Sequence, residues 1–285
     1  MDSPEPVRTP PAGGPRLWLG TSSWSHASWV GHFYPKDSGP GDYIRHYAET
    51  LPTVEIDATF YREPTARMVS GWKEKTPESF RFAAKVPRVI THEKLLVDCD
   101  EEFKRFVSVM EGLGDRLGPL LLQFRYFRKN EMSLDDFLAR LRPFLERLPG
   151  GPRFALEVRN KTWVQAPLLD LLSKHGVALT WIDHPWFLDP ETLLSRPGTR
   201  TAEFGYVRWL GDRVAIEKIT TEWNRTVIDR TARLQAWVRA LRSSVPREFP
   251  VFGYFNNHFA GYSIESIDLF RRLWREPGSE SAGGS

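Results

Sequence analysis

The sequence predicts a (β/α)8 TIM barrel, an α/β fold built as a single domain, and three observations carry the prediction. Eight short runs rich in β-branched and aromatic residues recur along the chain, bounded by Gly, Pro, Asp or Asn. Segments with apolar residues at helical spacing lie between them. The alternation fills residues 16–275, about 260 residues, which is the usual size of such a barrel. Strands that alternate with helices pair in parallel through right-handed crossovers. The competing arrangement, an open doubly wound sheet, ordinarily carries a Gly-rich nucleotide fingerprint after its first strand, whereas GTSSWS stands there.

Taken in order, the strands are LWLGTS from 17, TVEIDATF from 53, RFAAKVP from 81 and GPLLLQF from 118. They continue with RFALEVR from 153, ALTWID from 178, FGYVRWLG from 204 and VFGYFNN from 251. In DEEFKRFVSVMEGLG, Phe103, Phe106, Val107 and Met110 form one helical face that Gly112 or Gly114 ends. SLDDFLARLRPFLERLPG starts with Ser133 and Asp136 at capping-box spacing, with Pro143 expected to bend it. APLLDLLSKHG closes on Gly176, DPETLLSRPG supplies a short helix after the sixth strand, and RTVIDRTARLQAWVRALR repeats the pattern with Leu234, Trp237, Val238 and Leu241. Residues 1–15, rich in Pro and Gly, and the tail 276–285 are expected to be disordered.

Composition narrows the function classes. The chain has 285 residues, 41% hydrophobic and 26% charged, enough to bury a sizeable core. One cysteine, Cys99, excludes an internal disulfide and fits a reducing compartment. The N-terminal stretch lacks the apolar run of a secretory signal, and no stretch reaches the roughly 20 apolar residues of a membrane span. A soluble cytoplasmic protein is expected, without a membrane partner. A formal charge of +3 is small for this length, so it permits nucleic-acid contact without arguing for it.

The second strand locates the candidate site. In TVEIDATFY the apolar residues Val54, Ile56, Ala58 and Phe60 alternate with Glu55, Asp57 and Thr59. In a barrel the apolar face packs on the helices and the alternate residues point into the lumen. The same phase puts Lys85, Gln123, Glu157, Arg159, Tyr206, Arg208 and Asn257, with Asn256 beside it, inside. Most lie toward the C-terminal ends of their strands, where such barrels build active sites. Three acids (Glu55, Asp57, Glu157) thus meet three bases (Lys85, Arg159, Arg208). They form either a site or a closed, mutually neutralising network. The loop at 22–41 carries Trp24, Trp29, Phe33 and Tyr34, rings that either stack on a ligand or plug the barrel mouth. GDRVAIEKITTE, after the seventh strand, is a second candidate lid. His26, His32, His92, His184 and His258 follow strands, which leaves room for a divalent metal beside Asp57, Glu157 or Asp183. No His pair has zinc-motif spacing, so no cofactor is expected.

GTSSWSHASWVGHFYP, VEIDATFYREP, FRFAAKVPRVITHEKLL, LGPLLLQF, ALEVRNKTW, GYVRWLG and VFGYFNN, in this order, resemble the YecE-like family, also called domain of unknown function 72. The resemblance runs from about residue 17 to about residue 274 and implies a TIM barrel with no established reaction. It maps the family's mouth positions to Trp24, Glu55, Thr59, Tyr61, Lys85, His92, Gln123, Glu157, Arg159, Trp163, Arg208, Asn256 and Asn257. The chain departs from the family's common pattern at Asp57 (Asn), Arg125-Tyr126 (a proline pair), Asn160 (His), Leu210-Gly211 (His-Gly) and His258 (Asp). Asp57 replaces the imidazole missing at Leu210 only if burial or Glu55 raises its pKa.

The expected function is an enzyme acting on a phosphorylated or polyhydroxylated compound or a nucleic-acid fragment. Glu157 serves as general base or acid, with Asp57 and Lys85 also catalytic. Lys85, Arg159 and Arg208 hold an anionic ligand, Asn256 and Asn257 orient it, and Trp24, Tyr61 and Trp163 cover it. A non-catalytic protein that binds nucleic acid or a metabolite, and a metal-dependent phosphodiesterase, are the alternatives.

Overall fold

The computed structural model describes residues 14–276. The expected disorder of residues 1–13 and 277–285 falls outside the described residues. Gly14 and Pro15, which composition assigned to the leader, are buried, and Gly14 O accepts a hydrogen bond from Glu248 N at 3.1 Å.

Eight parallel strands form one sheet: β1 (Arg16–Thr21), β2 (Thr53–Ile56), β3 (Arg81–Lys85), β4 (Leu117–Gln123), β5 (Phe154–Glu157), β6 (Ala178–Asp183), β7 (Gly205–Trp209) and β8 (Pro250–Phe255). Their order is β1-β8-β7-β6-β5-β4-β3-β2, so β1 and β2 come together to close a barrel. All eight stand where the alternation predicted them. The seam between β1 and β2 has its own construction. A Cβ at Gly20 would sit 1.9 Å from Thr53 O, so only glycine lets the two backbones approach this closely. Tyr47, from α1 (Tyr43–Thr50), fills the gap: its hydroxyl accepts from Thr21 N at 2.8 Å and donates to Thr53 O at 3.0 Å. One side chain thus satisfies two buried backbone groups that lack a strand partner.

The helices follow their strands. After β2 come α2 (Ala58–Tyr61) and α3 (Ala66–Glu74), then α4 (Asp100–Glu111), α5 (Leu134–Leu145), α6 (Ala166–Lys174) and α7 (Pro190–Ser195). The series ends with α8 (Arg213–Glu217), α9 (Thr231–Ser244) and α10 (Ser263–Arg275). The Ser133–Asp136 capping box forms in both directions at the start of α5, and the helix runs through Pro143 to Leu145. α10 buries Ile264, Ile267, Phe270, Leu273 and Trp274 at three- and four-residue spacing. Phe270 packs 5.2 Å from Trp209, a ring that stacks on Phe255 at 4.0 Å. Burying each such side chain is worth about 1.5–3 kcal/mol, so this face fixes α10 against β7 and β8.

Two apolar layers result. The larger lies between barrel and helices. The smaller fills the lower lumen and consists of Trp18, Ala83, Leu121, Ala155, Ala178, Phe204, Tyr206, Phe252 and Tyr254. Aromatic rings beside alanines and Leu121 take the place of the branched aliphatics usual in such barrels. This plug closes the barrel from below and leaves the polar lumen residues at the C-terminal end.

One expectation about β2 is corrected. The strand ends at Ile56, and Ala58–Tyr61 turns as a short helix, so Asp57 and Thr59 leave the strand phase. Thr59 is nevertheless buried, and its hydroxyl donates to Lys85 O at 2.7 Å and to Ile56 O at 3.0 Å. It ties the end of β2 to β3.

Candidate functional site at the barrel mouth

Glu55 on β2, Glu157 on β5 and Arg208 on β7 come from non-adjacent strands and meet directly, which only lumen-facing side chains can do. Arg208 Nη2 lies 2.7 Å from Glu55 Oε1, and its Nη1 lies 2.6 Å from Glu157 Oε2. Tyr206 Oη donates to Glu55 Oε2 at 2.7 Å, and Arg159 Nε donates to Glu157 Oε1 at 2.5 Å. Beside this chain Lys85 pairs with Asp57. Three carboxylates therefore meet three cations, as the alternation of β2 anticipated.

The electrostatics follow from enclosure. Burial raises the Glu157 pKa, but Arg159 and Arg208 outweigh it and hold the carboxyl down at about 2. Burial by itself lowers the Arg208 pKa, and the two glutamates reverse that. Asp57 shows the same contest: burial raises it, while Lys85 and then Arg208 leave it below the ordinary range. The pKa elevation that would let Asp57 replace a missing imidazole is thus overturned by its lysine partner.

Exposure divides the network. Glu55, Glu157 and Arg208 are at most 1% exposed, whereas Lys85 keeps 12%, Arg159 25% and Asp57 33%. Arg208 Nε, Thr180 Oγ1 and Ser22 Oγ are buried without a hydrogen-bond partner among the described residues. Arg208 is the enclosed centre, and Arg159 and the Lys85–Asp57 pair form its upper edge.

Arg159 opens into a cleft of about 690 Å3 over the ends of β4, β5 and β6. Gln123, Arg125, Tyr126, Arg159, Asn160, Lys161, Thr162, Ile182, His184, Trp186 and Phe187 line it, with no carboxylate among them. Asn160 joins two of its walls. Its Nδ2 donates to Phe127 O at 2.9 Å and its Oδ1 accepts from Phe127 N at 3.0 Å, locking the loop after β4 to the loop after β5. Arg125 lies 4.5 Å from the centre of the Phe127 ring and pairs with Glu131 at 3.0 Å. His184 Nδ1 accepts from Trp186 N at 3.3 Å, leaving Nε2 to carry the proton of a neutral ring. Burial, then Arg159, lowers the His184 pKa and favours that neutral form. Tyr126 is 60% exposed and Trp186 74%.

The remaining candidates divide by placement. Gln123 lines the cleft, and its Nε2 donates to Phe124 O at 2.9 Å. His92 sits on a π-helical turn, Val89–Glu93, packs edge-on to Phe60, and is lowered to about 4 by burial and by Arg125. Asn256 Oδ1 accepts from His258 N at 2.9 Å. Asn257 Oδ1 accepts from Ser263 N and Oγ, so this side chain fastens the start of α10. Tyr61 is 69% exposed on the rim.

Two aromatic rings stand away from the position expected of them. Trp24 packs on Trp72 of α3 and on Phe82, in the layer outside the barrel, while Trp29 and Tyr34 of the same loop are buried there. Trp163 stacks between Phe127 and Phe137, 6% exposed, and supports the cleft wall from behind. Neither covers the mouth, because each finds a larger apolar surface toward the helices. Sequence reasoning assigned no ligand role to Lys161, Tyr126 or Trp186. The cations directly following two strand ends, RYFRK after β4 and RNK after β5, were the available signal. Cys99 is buried at the start of α4, where burial pushes its thiol up to about 11. Among the described residues no group of three or more His, Cys, Asp or Glu is arranged to hold a metal ion, and no helix is long and apolar enough to cross a membrane.

An eight-stranded parallel barrel whose lumen charges rise into a cationic cleft at the C-terminal mouth defines a TIM-barrel protein with the mouth as its candidate site. The chain belongs to the family described as Protein of unknown function DUF72, whose profile matches residues 18–283. It is 32% identical over 145 residues to the UPF0759 protein YecE of Escherichia coli (strain K12), covering 50% of this chain and 48% of that protein. It is 24% identical over 172 residues to the UPF0759 protein YunF of Bacillus subtilis (strain 168), covering 58% of each. The matches span only about half the length of these curated relatives. The fold is shared with a DUF72 family protein from Thermotoga maritima (TM-score 0.70, 22% identity, 91% of this chain and 99% of that one). A DUF72 family protein from Enterococcus faecalis is similar (TM-score 0.61, 22% identity, 92% and 98%).

Proposed function

We propose that the protein is an enzyme that binds a small phosphorylated or polyhydroxylated compound in the cleft over β4, β5 and β6. The observation that carries this reading is a lining with Arg125, Arg159, Lys161 and His184 but no carboxylate. Arg159 commits Nε to Glu157 and keeps its terminal nitrogens for the ligand, in the planar geometry that suits phosphate. The Lys161 side chain makes no hydrogen bond or ion pair among the described residues and adds a second charge. Tyr126 and Trp186 supply exposed faces for a sugar or other flat ring. In this reading the Lys85–Asp57 pair, with the carboxylate held ionised, presents fixed charge at the edge of the mouth. Glu157, ionised and with both oxygens taken by arginines, aims Arg159 and does not exchange protons with substrate.

Thermal unfolding in phosphate, sulfate and chloride at matched ionic strength tests the site, with sulfate reporting nonspecific stabilisation by exclusion. Wild type gains more from phosphate than Arg159→Gln or Lys161→Gln does; equal gains in all three overturn the reading. A ligand at about 100 times its dissociation constant adds about 2.7 kcal/mol. The exposed rings beside cations also suit stacked bases. Steep loss of oligonucleotide affinity with salt, with no response to small phosphates, favours a nucleic-acid-binding protein instead.

A further inference from the structure

The opposite end of the barrel carries the charge that the mouth neutralises. Arg16 at the start of β1 and Arg81 at the start of β3 each lie 5.5 Å from the Trp18 ring centre. Arg153, just before β5, lies 5.5 Å from the Phe252 ring and 5.9 Å from the Phe204 ring, and Trp18 and Phe252 stack at 5.9 Å. Arg116, just before β4, stands in the same group. None of the four has an ion pair among the described residues, and of the groups acting electrostatically on Arg81 three are arginines and one, Asp115, is a carboxylate.

These charges are also held in place. Arg81 Nη1 donates to Glu78 O at 2.8 Å and to Phe80 O at 3.0 Å. Arg116 Nε donates to Pro77 O at 3.0 Å and its Nη2 to Thr76 O at 3.2 Å. Backbone carbonyls fix two guanidiniums, and aromatic contacts settle the other two, so the remaining N–H groups are preorganised for an acceptor. Sealing the floor would require flat cations on rings, but it would not require four arginines together with a single carboxylate, Asp115, acting on Arg81.

We propose that this floor is a second anion site, separate from the mouth and independent of its function, that takes a compact di- or triphosphate group. The patch spans two stacked rings, which suits two or three adjacent phosphates better than an extended polymer, and guanidinium forks match phosphate oxygens.

Calorimetric titration with inorganic tripolyphosphate at fixed ionic strength tests it. The double variant Arg16→Gln/Arg153→Gln, at two exposed positions, weakens the floor's binding event about tenfold or more, equivalent to about 1.4 kcal/mol, while Lys161→Gln, which acts on the separate event at the mouth, leaves the floor's affinity unchanged. Wild-type affinity in the floor variant, or a loss confined to the mouth variant, overturns the proposal. Should the double variant fail to fold, each single substitution serves, and undiminished binding in both overturns it equally. A short DNA duplex bound more tightly than tripolyphosphate at the same salt, and released by the same floor substitutions, overturns the assignment to a compact ligand.

Discussion

Arg208 and Glu55 form an ion pair at 2.7 Å in which neither side chain is more than 1% exposed. Glu157 takes the other terminal nitrogen of the same guanidinium at 2.6 Å. A charge enclosed in this way reaches no ligand directly, so its effect on the mouth passes through Glu157 to Arg159. Taking one charge out of such a chain leaves others buried without a partner, and that cost exceeds what the intact network contributes.

Arg208→Met therefore destabilises the fold by about 3–5 kcal/mol, measured by urea denaturation. The double variant Glu55→Gln/Arg208→Met loses less than the sum of the two single changes, because removing both members takes away the orphaned charge. Strict additivity would show that the two side chains do not act as a pair.

Acid lowers stability in two overlapping windows. Burial, ahead of any charge, lowers His26 and His92 from 6.5 to about 4. Between those values the unfolded chain binds protons that the folded one refuses, so stability falls as pH drops from about 6.5 to about 4. The Glu157 carboxyl is depressed from 4.5 to about 2, so its contribution is present above about 4.5 and disappears as pH falls through 2. For this buried group that contribution is on the order of 3 kcal/mol. Stability measured from pH 8 to pH 2 falls through both windows. Glu157→Gln flattens the lower one, and His92→Gln reduces the slope of the upper one. An unchanged lower slope in Glu157→Gln would show that its carboxyl is not held down by the arginines.

The barrel, its strand positions and the lumen partners Glu55, Lys85, Glu157 and Arg208 were legible in the sequence because a strand's side-chain period is two, and one correct phase sorts all its residues. The end of β2 was not legible: ATFY reads equally as strand, and the turn at Asp57 depends on Thr59 reaching Lys85 O across β3. The directions of Trp24 and Trp163 were not legible either, since a loop ring's choice between mouth and helix layer depends on partners such as Trp72 and Phe127, distant in sequence. α3 left little trace, with Val69 its one buried residue, and α10, though strongly periodic, was not singled out. The pairing of three acids with three bases was foreseen, but the sequence did not tell which cation would remain available. Enclosure decides that, leaving Arg159 accessible and Arg208 sealed.

The seam between β1 and β2 depends on one hydroxyl. Tyr47→Phe leaves Thr21 N and Thr53 O buried without their partner, at about 1–3 kcal/mol for an unsatisfied group. Urea denaturation reads the loss. Hydrogen exchange places it, with Thr21 N exchanging faster than amides inside β7. Uniform acceleration across the barrel would mean that the seam opens only with global unfolding.

Asn160 separates shape from charge in the cleft. It carries no charge, and its side-chain amide is spent on Phe127, so its substitution leaves the charge of the cleft unchanged. It nevertheless binds the loop bearing Arg125 and Tyr126 to the loop bearing Lys161. Asn160→Ala frees Phe127 N and O, loosens that joint, and exposes the Phe127–Trp163 stack to rearrangement. Two lost bonds to buried groups lower stability by about 1–3 kcal/mol. If the cleft works by holding Arg125, Arg159 and Lys161 in fixed relation, phosphate stabilises Asn160→Ala less than wild type although the charge is unchanged. Lys161→Gln, by contrast, weakens the phosphate response while leaving stability in chloride near wild type. A phosphate response retained in Asn160→Ala and lost in Lys161→Gln would mean that charge alone, without the joined walls, makes the site.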